Sequence, residues 1–125
     1  MTHDKKTIIS FDFDSTLTVP QFDEENEIFL PSTVANVQIV NLLKLLSLHH
    51  EIVITTSRSE KDRDGVLRFV KEQNLPVSKM FFTNGRPKVY TLRTLNVLMH
   101  FDDDVEEIME IEKDKTCDTF LVESL

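Results

Sequence analysis

Short apolar runs alternate with longer amphipathic segments along the chain, and this alternation is the strongest constraint on its fold. Residues 7–13 (TIISFDF), 51–56 (EIVITT), 79–84 (KMFFTN), 96–101 (NVLMHF) and 117–123 (CDTFLVE) are rich in β-branched and aromatic side chains and predict buried strands. Between them, helices are expected over 31–50, 59–74, 87–96 and 103–115. In the first, Pro31 and Ser32 are start signals, and Val34, Val37, Val40, Leu43 and Leu46, widened by Leu42 and Leu45, form the core-facing stripe. Ser59 is a candidate N-cap for the second helix and Pro87 a first-turn residue for the third. The acidic stretch 18–31 reads as an irregular, flap-like loop with a short hairpin. Strands alternating with helices imply an α/β, three-layer, doubly wound and mostly parallel sheet, with helices on both faces.

The chain has 125 residues, the length of one domain, with its core over about 7–122. No run approaches the ~18 apolar residues of a membrane span. The opening MTHDKK is polar and has no apolar leader core. A single cysteine, Cys117, excludes an internal disulfide framework, and a reducing, cytoplasmic setting is the simplest expectation. The net charge of −8 argues against coating a polyanion non-specifically. It is uneven, however: residues 102–118 carry −7 and residues 58–93 carry +5, so the middle of the chain can face a phosphate.

In a doubly wound sheet, ligands bind outside the carboxyl ends of the strands. Four predicted strand ends carry chemistry. Asp12 and Asp14 close the first strand, and at a spacing of two they point to the same side. Two acids on one side call for a cation between them, and Mg²⁺ suits oxygen donors. Taken alone, a D-x-D is as readily a solvated or capping pair. Thr55 or Thr56, with Ser57 and Arg58 behind, ends the second strand and can hold a phosphate oxygen. Lys88 falls in the first turn of the third helix, where a cation opposes the helix dipole. Either it extends into water, the reading it invites alone, or it meets an anion: the acid cluster or a phosphate. Asp102, Asp103 and Asp104 end the fourth strand; Asp102 alone can be an N-cap, but three acids exceed what capping needs.

The order of acid pair, hydroxyl, lysine and acid pair resembles the haloacid dehalogenase-like phosphohydrolase superfamily. Its first signature, an apolar strand followed by D-x-D-x-T, is matched by FDFDSTL; IVITTSR is similar to the second, Lys88 to the third, and HFDDD to the fourth. Ser15 stands where many members have Gly, and Ser also occurs there. The resemblance implies a Mg²⁺-dependent phosphatase. In it Asp12 is the nucleophile that forms an aspartyl-phosphate, and Asp14 is general acid and then base. Thr56, Ser57 and Lys88 bind the phosphoryl group. The metal is held by Asp12, the backbone carbonyl of Asp14, and Asp102 or Asp103.

Members with a cap domain carry it after the first motif or before the lysine. Neither gap here holds a domain, so the chain resembles a capless member, a kind that acts on large substrates or closes its site by oligomerising. TSR and FDDDVEEI are also similar to the phosphatase half of phage polynucleotide kinases, which remove 3′-phosphates from nucleic-acid ends. That implies a nucleotide or nucleic-acid substrate with Arg58 as a contact; the +5 segment, which also holds Arg63, Arg86 and Arg93, is consistent with it, though these arginines read equally as a solvated, salt-bridged face. Two rivals are a signalling receiver domain and a phosphate-binding protein without turnover. Receivers place an adjacent acid pair after the first strand and an Asp after the third, whereas this third strand ends in FFTN. His49, His50, His100 and Cys117 read as ordinary structural residues, His100 keeping a possible tuning role beside Asp102. Phe22, Ile28, Phe29 and Leu30 on the acidic loop are suited to cover the site or to meet a partner.

Overall fold

The computed structural model describes residues 6–123; the remainder of the polar opening segment lies outside the described residues. In chain order it contains β1 (Ile8–Phe11), β2 (Gln21–Asp23), β3 (Ile28–Leu30), α1 (Val37–Leu46), β4 (Glu51–Thr56), α2 (Arg63–Glu72), β5 (Val77–Phe82), α3 (Val89–Leu95), β6 (Met99–Asp102), α4 (Val105–Asp114) and β7 (Asp118–Leu121). A single 3₁₀ turn, Glu60–Asp62, precedes α2. Five strands form one parallel sheet in the order β5-β4-β1-β6-β7. Counting only these strands along the chain, the order is 3-2-1-4-5, so the winding reverses between β1 and β6. The expected α/β architecture is borne out, and no inserted domain interrupts it among the described residues.

The two faces of β1 separate the core. Ile9 and Phe11 face α1 and α2, packing with Val40, Leu43, Ile52, Ile54, Val66 and Phe69. Phe11 and Phe101, paired in register, stack with ring centroids 4.5 Å apart. Ile8 faces the other way, against Val89, Leu92 and Ile111 of α3 and α4. Each such fully buried side chain contributes roughly 1.5–3 kcal/mol through apolar burial.

The first helix differs from expectation. Ser32 does not cap it: its hydroxyl donates to the Val19 carbonyl and accepts from the Val34 N–H. The chain therefore stays extended, with a Thr18–Ala35 bridge, and α1 starts only after Asn36, whose side chain accepts from the Ile39 N–H. Val34, Val37 and Leu45 consequently face solvent, while Ile39 joins Val40 and Leu43 against the core. Ser59 occupies an N-cap position but makes no side-chain cap bond. The loop at 18–31 forms an antiparallel hairpin, β2 with β3, and Phe22 and Phe29 touch across it at 5.0 Å.

Candidate active site

β1 ends at Phe11, but the Asp12 N–H still donates to the Phe101 carbonyl at 2.8 Å, holding Asp12 at the edge of the sheet beside β6. The chain then turns. The Phe13 carbonyl accepts from the N–H groups of Thr16, Leu17 and Thr18, and Ser15 sits at φ +61°. That left-handed conformation favours glycine, which explains why a small residue stands there. The turn brings Thr16 Oγ1 back to donate to Asp12 Oδ2 (3.0 Å) and to Asp103 Oδ1 (3.3 Å).

Lys88, at the N-cap position of α3, is 2% exposed, so it does not extend into water. Its Nζ lies 2.8 Å from Asp12 Oδ1 and 2.7 Å from Asp102 Oδ2. The cation that opposes the α3 dipole is thus matched by two acids, and Glu107 of α4 accepts the Lys88 backbone N–H (3.1 Å), placing a carboxylate at that helix start. Asp104, not Asp102, caps α4, accepting from the Glu106 and Glu107 N–H groups. Asp102 is fully buried and belongs to the site, with Oδ1 accepting the Asp104 N–H.

Asp12, Asp102 and Asp103 each offer a carboxylate oxygen within 4.8 Å of the others. These three acids face one ammonium, so negative charge is in excess. Hard oxygen donors with surplus negative charge could hold a metal ion. The Asp14 side chain is not part of this group. After Asp12 the backbone leaves the extended path, and Asp14 receives Arg58 in a two-pronged pair, Nε at 2.8 Å and Nη2 at 2.7 Å. The Arg58 guanidinium also lies over the Phe13 ring, 5.2 Å from its centroid.

Thr55 and Thr56 have different tasks. Thr55 Oγ1 bonds Ser10 Oγ at 2.8 Å. Thr56 Oγ1 accepts the Arg58 N–H at 3.2 Å, which orders the loop after β4. Ser57 is exposed at its crest, and its carbonyl accepts the Gly85 N–H at 2.8 Å. With Thr83 N–H on Thr56 and Asn84 N–H on Arg58, the two loops are fastened by three backbone bonds.

His100 is the residue whose place sequence reasoning underrated. It is 0% exposed, with Nδ1 2.9 Å from Ser10 Oγ and Nε2 2.7 Å from Asp102 Oδ2. An ionised Asp102 can only accept, so Nε2 carries the proton and donates. A chain of bonds therefore runs Thr55–Ser10–His100–Asp102–Lys88–Asp12 beneath the sheet edge. The sequence signal was the alternation: His100 shares a strand face with Asp102, two residues on.

Charges follow this wiring. Burial would raise the Asp102 carboxyl, but the His100 hydrogen bond and Lys88 charge outweigh it and hold it at about 2. Burial raises the Asp12 carboxyl well above the ordinary range, and the Lys88 charge only partly offsets this. Lys88 loses solvation but gains both carboxylates, and its ammonium is held above the ordinary value. Burial lowers His100, keeping its imidazole neutral.

No protein-family model and no curated protein matches the chain. Its fold is similar to that of a chain in the Pnkp1/Rnl/Hen1 complex, with TM-score 0.69 and 16% identity over 97% of this chain and 47% of that one. A chain in the Pnkp1/Rnl/Hen1 RNA repair complex gives TM-score 0.69 and 14% identity, covering 98% of this chain and 45% of that one. The present chain thus spans about half the length of these neighbours. Nearly all of it nonetheless follows their fold, and Asp12 and Asp102 flank the point in that fold where the winding reverses.

Proposed function

We propose that this chain is a phosphomonoesterase of the haloacid dehalogenase-like kind. The observation that carries the reading is the convergence of Asp12, Lys88, Asp102 and Asp103 at the reversal of the sheet. A carboxylate oxygen of Asp12 attacks phosphorus as the ester P–O bond breaks, giving an aspartyl-phosphate. Asp14 donates a proton to the leaving oxygen. It then takes one from the water that attacks phosphorus, releasing inorganic phosphate and restoring Asp12. Lys88 and the Thr56–Ser57 loop receive the phosphoryl oxygens, and fixed charge aimed at them lowers the barrier. A bound Mg²⁺ would be held by Asp12, Asp102 and Asp103, with the Asp14 carbonyl as a further ligand, and would stabilise developing negative charge. While Arg58 holds both Asp14 oxygens, Asp14 cannot deliver a proton, so this pair opens during the cycle.

The substrate class we propose is a nucleic-acid end or nucleotide bearing a terminal phosphate. The fold likeness to chains of an RNA repair complex supports it, as do Arg58 and exposed Arg86 on loops beside the site. Association with other proteins or with further copies is part of the same proposal. The winding favours this reading over a phosphoacceptor signalling domain, which is wound 2-1-3-4-5.

The test is phosphate release from a 3′-phosphorylated oligoribonucleotide and from p-nitrophenyl phosphate, with and without Mg²⁺. We expect Mg²⁺-dependent release from both, falling at least about 1,000-fold in Asp12→Asn, which lacks the nucleophile. Cleavage of the aryl phosphate alone would remove the nucleic-acid substrate. Cleavage of neither would remove the phosphatase.

A further inference from the structure

A cleft of about 520 Å³ opens between the β2–β3 hairpin and the carboxyl end of β7. Ser15 of the turn after β1 and Asp103, one of the three clustered acids, line it. Its walls are apolar and come from three separate elements: Phe29 of β3, Val105 opening α4, and Leu121 ending β7. These side chains are 69%, 52% and 37% exposed, although each is a residue type normally withdrawn from water. The volume suits a small ligand, and the combination of apolar walls with a polar end is that of a ligand pocket.

We propose that this cleft holds the leaving group of the phosphomonoester, and that its occupant is a flat, uncharged ring such as a nucleobase. The proposal rests on the phosphatase reading above. Charge decides against a second phosphate: among the described residues no Lys or Arg lines the cleft, and Glu123 does. A neutral ring meets no such repulsion. Phe29 is braced for stacking because Phe22 supports it from the facing strand. The hairpin stem is itself fixed by the Thr18–Ala35 bridge and by the Val19 N–H on the Val34 carbonyl at 2.9 Å. The ring is therefore presented on a short, tethered arm at the mouth of the site.

The experiment compares kcat/KM for adenosine 3′-monophosphate and for glycerol 2-phosphate in wild type, Phe29→Ala and Leu121→Ala. Phe29 is mostly exposed, so its removal leaves the core intact. Loss of a base-stacking contact should lower kcat/KM for the nucleotide about tenfold or more, chiefly through KM. Glycerol 2-phosphate, which has no ring, should change less than about twofold on the same ground. Equal losses on both substrates, or no loss on the nucleotide, would overturn the pocket while leaving the phosphatase standing. Failure of wild type to turn over either substrate with Mg²⁺ would sink the pocket and the phosphatase together.

Discussion

Two ionic groups lie side by side at this sheet edge, and they differ sharply in burial. Lys88 is pinned between Asp12 and Asp102 with side-chain exposures of 3%, 7% and 0%. Arg58 meets Asp14 at similar distances, but both side chains are more than a quarter exposed. The buried group has no water to fall back on and therefore keeps its geometry. The outer pair exchanges its partners for water at little cost. On the proposed phosphatase reading, fixed charge would suit a nucleophile and its phosphate, and a releasable pair a residue that carries protons.

The largest effect should come from breaking the buried side. Lys88→Met leaves two adjacent buried carboxylates without a cation, and we expect about 3–5 kcal/mol of lost stability in urea unfolding. A loss below about 1 kcal/mol, the range of exposed pairs, would show that the two sides do not differ. His100→Ala should come next, because Asp102 loses a charge-assisted hydrogen bond worth about 1.5–3 kcal/mol. An unchanged urea midpoint would remove His100 from the network.

The pH dependence sharpens the contrast within the buried side. The Asp102 carboxyl sits at about 2 in the folded protein, below its unfolded value of about 3.9. Its contribution is therefore complete above that unfolded value and is lost as pH falls toward about 2. Asp12 has the opposite sign. Burial raises its carboxyl, so its ionised form opposes folding at neutral pH, and protonation relieves this as pH falls. Asp103 is raised in the same direction, again by burial. Mg²⁺ should accordingly raise the Tm at neutral pH, and the increment should shrink as pH falls and these two acids take up protons. Thermal scans with and without Mg²⁺ check this; an increment that grows on acidification would contradict it.

The smallest stability effect belongs to the outer side. Arg58→Ala should cost under about 1 kcal/mol while lowering kcat/KM for a 3′-phosphorylated oligonucleotide, because the proposed substrate contact is lost. Circular dichroism and steady-state turnover on one preparation separate the two. A large stability loss would mean that the pair is structural.

Much of the fold was legible because runs such as EIVITT carry their strand preference locally and the helices carry a three-to-four-residue period. What was not legible depended on distant partners. Ser32 reads as a cap until Val19, 13 residues earlier, takes its hydroxyl. Lys88 reads as solvated until Asp12, 76 residues away, is placed beside it. His100 gains its meaning from Ser10, at a separation of 90. The acid pair after β1 was visible as chemistry, but its division between Lys88 and Arg58 was not. A period of two applies only while the strand continues, and the chain turns immediately after Asp12.

The sheet order also sets when in folding the site can exist. β1 has β4 on one side and β6 on the other, and β6 is the more distant in sequence. The β1–β6 pairing therefore closes the longer loop and carries the larger closure entropy. Without β6, Lys88 has no Asp102, and β1 is an open edge able to pair with another molecule. Docking β6 covers that edge and completes the charge cluster in one event. The charge cluster is thus complete only in the fully assembled sheet, and weakening the β1–β6 seam both dismantles it and bares a strand edge.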